Sequence, residues 1–152
     1  IQEEGLTSQY FSIEKHWIQK AGGYDNIPFA GVEDMMLYKK LSALGVNCYL
    51  CKSELVWQNE INRLTVESLV GRYRTGAYTR RIACEKGHTD LGVAFSKTNR
   101  IKGALLLTIE PVLKSLEALL PFGKVYCKTV NALLFAATFR GYYRDPLPRD
   151  FS

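Results

Sequence analysis

The chain has 152 residues, 47% of them hydrophobic and 23% charged, with a net charge of +5 at neutral pH. That length and mix suffice for a folded core and exclude a low-complexity or fibrous chain. No run of about 18 uninterrupted apolar residues occurs, so no ordinary membrane-spanning helix is expected. Ile1–Gly5 does not read as a signal peptide.

In chain order, Ser12 is a candidate N-cap for a short helix over Ile13–Ala21, with Glu14 in its first turn and Gly22 as its stop. Residues 24–32 read as loop, with Asn26 and Pro28 as turn residues. A second helix is predicted from Glu33 to Gly45, with Leu37, Leu41 and Leu44 as its buried stripe. Val46–Lys52 and Glu54–Trp57 are short strand candidates. Thr65 opens a longer helix to about Cys84. Its apolar positions are Val66, Leu69, Val70, Tyr73 and Ala77, and its other face carries Arg72, Arg74, Arg80 and Arg81.

After a polar loop over Lys86–Asn99 the character changes. Leu105, Ile109, Val112, Leu113, Leu116, Leu119 and Leu120 fall on one helical face, opposite Glu110, Lys114 and Glu117. Pro111 interrupts this helix or starts another. Tyr126, Val130, Leu133, Leu134 and Ala137 form a further stripe, flanked by Lys124, Lys128 and Arg140. Such an amphipathic pair either packs on the domain or lies in a membrane interface.

Charge follows the same division. Residues 1–94 hold 11 Lys/Arg and 11 Asp/Glu, whereas residues 95–152 hold 9 and 4. A neutral body with a basic tail suits an anionic partner surface such as a membrane, or serves solubility alone. The aromatics form no stacking platform, so nucleic acid is not an expected partner. Of the four cysteines, Cys48 and Cys51 form a C-x-x-C, but no second pair completes a zinc site and the context reads as strand. They are taken as ordinary cysteines of a reduced, cytoplasmic chain.

The adjacent carboxylates Glu33 and Asp34 stand at the mouth of the second helix. There the helix dipole stabilises each by roughly 0.3–1 kcal/mol. The same position suits a carboxylate that takes a proton in a cleft. The surrounding pattern is Gly22-Gly23-Tyr24-Asp25-Asn26, then Glu33-Asp34-Met35-Met36-Leu37, then Lys40-Leu41, then Gly45. It resembles the C-terminal half of family 2 glycosyltransferases of the GT-A fold, over about residues 6–82.

The resemblance implies an α/β fold: the acceptor-side half of a GT-A domain over residues 1–94, followed by a basic amphipathic helical tail over 95–152. It implies inverting transfer of a sugar from a nucleotide-sugar donor to a hydroxyl of a glycan or lipid-linked acceptor. Asp34 is then the general base and Glu33 positions the acceptor or caps the helix. Arg72 and Arg74 are the candidates for meeting the leaving diphosphate.

Several features depart from the family. Gln58 or Asn59 stands where a metal-contacting His is usual, Met36 replaces a third acidic residue, and the Q-x-x-R-W motif of processive synthases is absent. His16 and His88 read as surface residues. A divalent cation, Mg or Mn, is expected in the full-length enzyme, but its D-x-D motif is not in this chain. The chain is therefore expected to be a fragment, inactive alone, from an enzyme peripheral at the inner face of the plasma membrane. The alternative is a non-catalytic membrane-surface or partner-binding module in which Glu33 and Asp34 only cap a helix.

Overall fold

The structure, a computed structural model, describes residues 11–26, 32–47, 49 and 65–147. Six α-helices lie among them: α1 (Lys15–Lys20), α2 (Glu33–Ala43), α3 (Val66–Glu85), α4 (Lys97–Thr108), α5 (Glu110–Leu119) and α6 (Lys124–Tyr143). The chain divides into two compact units, Ile1–Asn59 and Glu60–Ser152. The boundary expected after residue 94 falls inside the second unit, because α3 packs on α6.

In the first unit, α2 buries Met36, Leu37 and Leu41, and Val32 is buried just before it. Gly45 (φ 79°) takes the left-handed conformation that glycine adopts without steric cost. That turn lets the Gly45 and Val46 N–H groups donate to Ser42 and Leu41 carbonyls at 2.9 and 3.0 Å. Carbonyls that α2 would otherwise leave unpaired are thereby satisfied.

The second unit is built around α6, on which α3, α4 and α5 each pack. Local chemistry sets the helix starts. Thr65 Oγ1 accepts the Ser68 N–H at 3.1 Å, and Ser96 Oγ accepts the Asn99 N–H at 3.2 Å. Pro111 sits in the first turn of α5, where its missing N–H has no intrahelical partner to lose. The core comprises Ile82 and Ala83 of α3 with Leu133, Ala136, Ala137 and Phe139 of α6. Phe95 packs edge-on against Phe135, Phe139 and Tyr143. Gly141 brings the α6 backbone against the Arg74 carbonyl of α3, and no side chain fits between them.

Two expectations are corrected. The α/β fold is not what the described residues form: 71% of them are helical and they include no strand or sheet, only an isolated bridge at Tyr49. Val46 and Asn47 are not in a strand, and the other strand positions lie outside the described residues, apart from Tyr49. The described apolar runs repeat instead at helical spacing between helix caps. Next, the α3 stripe is displaced. Its buried residues are Ala77, Tyr78, Thr79, Ile82 and Ala83, and Tyr73 is exposed, so the helix meets its core over its C-terminal half.

The α5 stripe, for which the sequence left packing or an interface open, is split: Val112, Leu116 and Leu119 are exposed and Leu113 is buried, while Glu110 of the opposite face is buried at 8% exposure and held by Arg140 Nη2 at 2.6 Å. Lys114 Nζ, one turn on, is 3.0 Å from the same carboxylate.

Candidate functional site

The site is assembled in the first unit from the turn after α1 and the first turn of α2. Gly22 (φ 78°) and Gly23 (φ 72°) are both left-handed, and their N–H groups donate to Gln19 and Ile18 carbonyls at 3.1 and 2.9 Å. This double turn closes α1 and presents the Gly23 carbonyl to α2, where Lys40 Nζ donates to it at 3.2 Å. The same ammonium lies 3.0 Å from Asp25 Oδ2. That ion pair is off the line of a hydrogen bond, and Oδ2 is buried with no hydrogen-bond partner among the described residues. Lys40 thus ties the Gly-Gly-Tyr-Asp loop to α2, although the sequence pattern places it away from the buried stripe.

Tyr24 of this loop lies within electrostatic reach of the acidic pair. Burial pushes the Tyr24 phenol above its ordinary range, and the Asp34 and then the Glu33 carboxylate push it further in the same direction. Both carboxylates are half-buried. Val32, at the N-cap, supplies no side-chain cap, so the first turn of α2 relies on the acids that follow. Asp34 Oδ1 accepts the Met35 N–H at 2.8 Å, which fixes that carboxylate against the helix end. Asp34 itself therefore bonds the helix terminus, a role the sequence assigned to Glu33.

Chemically the cluster offers two carboxylates and a phenol within electrostatic reach of one another. It can accept a proton, orient a hydroxyl, and lay an aromatic ring against a ligand. Tyr24 was legible only as one letter of a motif; its electrostatic link to Asp34 was not.

The two arginines proposed for the diphosphate belong to the second unit. Arg74 is engaged: Nε and Nη2 form a bidentate pair with Asp145 at 2.8 and 2.6 Å. That hydrogen bond, with the Asp145 charge, outweighs the opposing effect of burial and holds the guanidinium more firmly protonated. Arg81 Nη1 donates to the Asp145 carbonyl at 3.1 Å, and Arg80 Nη1 to the Leu91 carbonyl at 3.2 Å. Much of the arginine-rich face of α3 thus clamps neighbouring backbone. Arg72 is exposed. A cleft of about 330 Å³ in this unit is lined by Tyr73, Phe95, Asn99, Asn131, Phe135 and Thr138 among others, and none of the predicted site residues borders it.

No cluster of three His, Cys, Asp or Glu side chains gathers among the described residues. These residues therefore supply no ligand set for the divalent cation that the resemblance implies. His16 is exposed, with Nδ1 3.1 Å from Glu14 Oε2. Cys48, Cys51, Gln58 and Asn59 lie outside the described residues, while Cys84 and Cys127 are free thiols. No described helix is long and apolar enough to cross a membrane. No family model matches the chain, and no curated protein or solved structure is significantly similar to it.

Proposed function

We propose that the loop over residues 22–25 and the first turn of α2 form the acceptor side of a glycosyl-transfer site. One observation carries this reading. The loop Gly22-Gly23-Tyr24-Asp25 is tied by Lys40 to α2, the helix whose first turn carries Glu33-Asp34, and Tyr24 lies within electrostatic reach of both carboxylates. The proposal stands on that junction and not on a fold, since the described residues carry no GT-A sheet.

Asp34 takes the proton from an acceptor hydroxyl as its oxygen attacks the anomeric carbon of a nucleotide-sugar. The nucleoside diphosphate leaves from the opposite face and the configuration inverts. The hydroxyl becomes acidic only as the new bond forms, so a weak base held in place is sufficient. Fixing Oδ1 on the Met35 N–H contributes that placement. Tyr24 supplies a ring edge and a hydroxyl to orient the acceptor. Arg72 and Arg74 are not part of the assignment, and Arg74 is committed to Asp145.

The test is Asp34→Asn, with transfer from a nucleotide-sugar donor followed as release of nucleoside diphosphate. The amide keeps the acceptor for the Met35 N–H and removes the base. Transfer falls by roughly 10²–10⁴-fold while donor binding holds and stability drops by no more than about 0.3–1 kcal/mol, the dipole share of the lost charge. Transfer that survives the substitution refutes the role of Asp34 and leaves the acidic pair as helix-end charges only.

A further inference from the structure

The aliphatic residues that α5 turns outward raise a separate question: what covers them? Ile101 and Leu105 of α4, Val112, Leu116 and Leu119 of α5, and Phe122 in the following loop are all exposed, Leu119 at 82% and Phe122 at 89%. They recur at spacings of three, four and seven residues along two consecutive helices, which is one stripe. The inner side of the same helices is already satisfied. Gly103 lies against the Phe139 ring, Leu113 is buried, and Glu110 is held by Arg140 and Lys114. The exposed stripe is therefore not needed to hold the unit together. Apolar patches of this kind on a folded surface mark binding faces.

The charge around the stripe selects the occupant. From Lys97 to Lys128 the sequence holds six Lys/Arg and two Asp/Glu. Both acids are engaged: Glu110 is buried, and Glu117 Oε1 accepts the Tyr126 hydroxyl at 3.1 Å. Lys97, Lys124 and Lys128 are exposed, whereas Arg100 and Lys102, also exposed, lie over the Tyr143 and Phe135 rings of α6. A second copy of the chain would bring one cationic rim against another, which opposes pairing through this face. An anionic bilayer matches it: aliphatic side chains enter the acyl boundary while the cations meet lipid headgroups. No described helix is long and apolar enough to span, so this mode lies in the plane of the interface.

We propose that the outer face of α4 and α5, continued through Phe122, docks on an anionic lipid surface. This goes beyond the reading of Asp34 and does not depend on it. The test is flotation of the 152-residue chain with vesicles of phosphatidylcholine alone or with about 30% phosphatidylserine, at low and high salt. The chain floats with the anionic vesicles at low salt, and binding weakens as salt screens the cations. Leu119→Glu with Phe122→Glu, both at exposed positions, reduces binding at least roughly ten-fold. Lys124→Glu reduces it roughly five-fold or more, whereas Lys15→Glu, the same charge change in the other unit, has a smaller effect.

No flotation with anionic vesicles at low salt overturns the proposal. So does a Leu119/Phe122 variant that floats as the parent does, or a Lys15→Glu loss equal to that of Lys124→Glu. Sedimentation as a dimer that the Leu119/Phe122 substitutions disperse, without vesicle binding, assigns the face to a second copy and equally overturns it.

Discussion

Glu110→Gln tests whether the buried carboxylate is what sets which side of α5 faces inward. Gln keeps the shape and one acceptor but removes the charge facing Arg140 and Lys114. Breaking a fully buried ion pair costs about 3–5 kcal/mol. The Arg140 side chain is 36% exposed and regains water, which lowers its share to about 1–2 kcal/mol. The Lys114 side chain is 60% exposed and spaced one turn away, so that pair contributes about 0.3–0.5 kcal/mol. Losing a negative charge at the N-terminus of α5 costs a further 0.3–1 kcal/mol or so.

Together these amount to a loss of about 1.5–3.5 kcal/mol from the second unit. Urea unfolding followed by far-UV circular dichroism measures it, because this unit carries the four longer helices other than α2. In a double-mutant cycle with Arg140→Gln, the coupling should be about 1–2 kcal/mol. A Glu110→Gln loss below about 0.5 kcal/mol would refute the reasoning and leave the inward Glu as a bystander of packing.

Gly141→Ala places a Cβ against the Arg74 carbonyl. Overpacking of about 1–3 kcal/mol or more outweighs a helix-propensity gain of about 1 kcal/mol, so the melting temperature falls. Gly76→Ala in α3 meets open space and raises it; shifts of the same sign in thermal melts would contradict the close approach. Tyr78 gives an alkaline signature. Its hydroxyl donates to the Pro146 carbonyl at 3.1 Å. Burial raises its pKa first and Asp145 raises it further, against a lowering by Arg81. The unfolded phenol, with a pKa near 10, then loses its proton first. The Tyr78 contribution is therefore complete below about pH 10 and is lost as pH rises through the folded value. Urea stability measured across that range falls less steeply in Tyr78→Phe, and equal slopes would dismiss the Tyr78 contribution.

What could be read from the sequence was decided locally. Thr65 caps α3, Gly45 ends α2 and Pro111 starts a new helix because each acts within a turn of its own position. What could not be read was decided by partners distant in sequence. The periodicity of α5 identifies two faces but not which one is inside, and that choice rests on Arg140, which is thirty residues from Glu110. The displaced stripe of α3 has the same origin, since α6 covers only part of a helix whose pattern runs further. In the site, Asp34 was recognisable from its neighbours. Its bond to the Met35 N–H is a matter of side-chain rotamer, and the Gly-Gly-Tyr-Asp loop is tied to α2 by Lys40, sixteen residues downstream of Tyr24.

The outward face of α4 and α5 has an evolutionary consequence. Residues such as Leu119 and Phe122 contribute little to folding, so purifying selection for stability barely sees them. Drift would be expected to replace such side chains with polar ones, which improve solubility at no structural cost. Aliphatic identity maintained there across diverged copies of this chain would have to be enforced by what the face touches. The pattern of substitution along these two helices would therefore record the partner and not the fold.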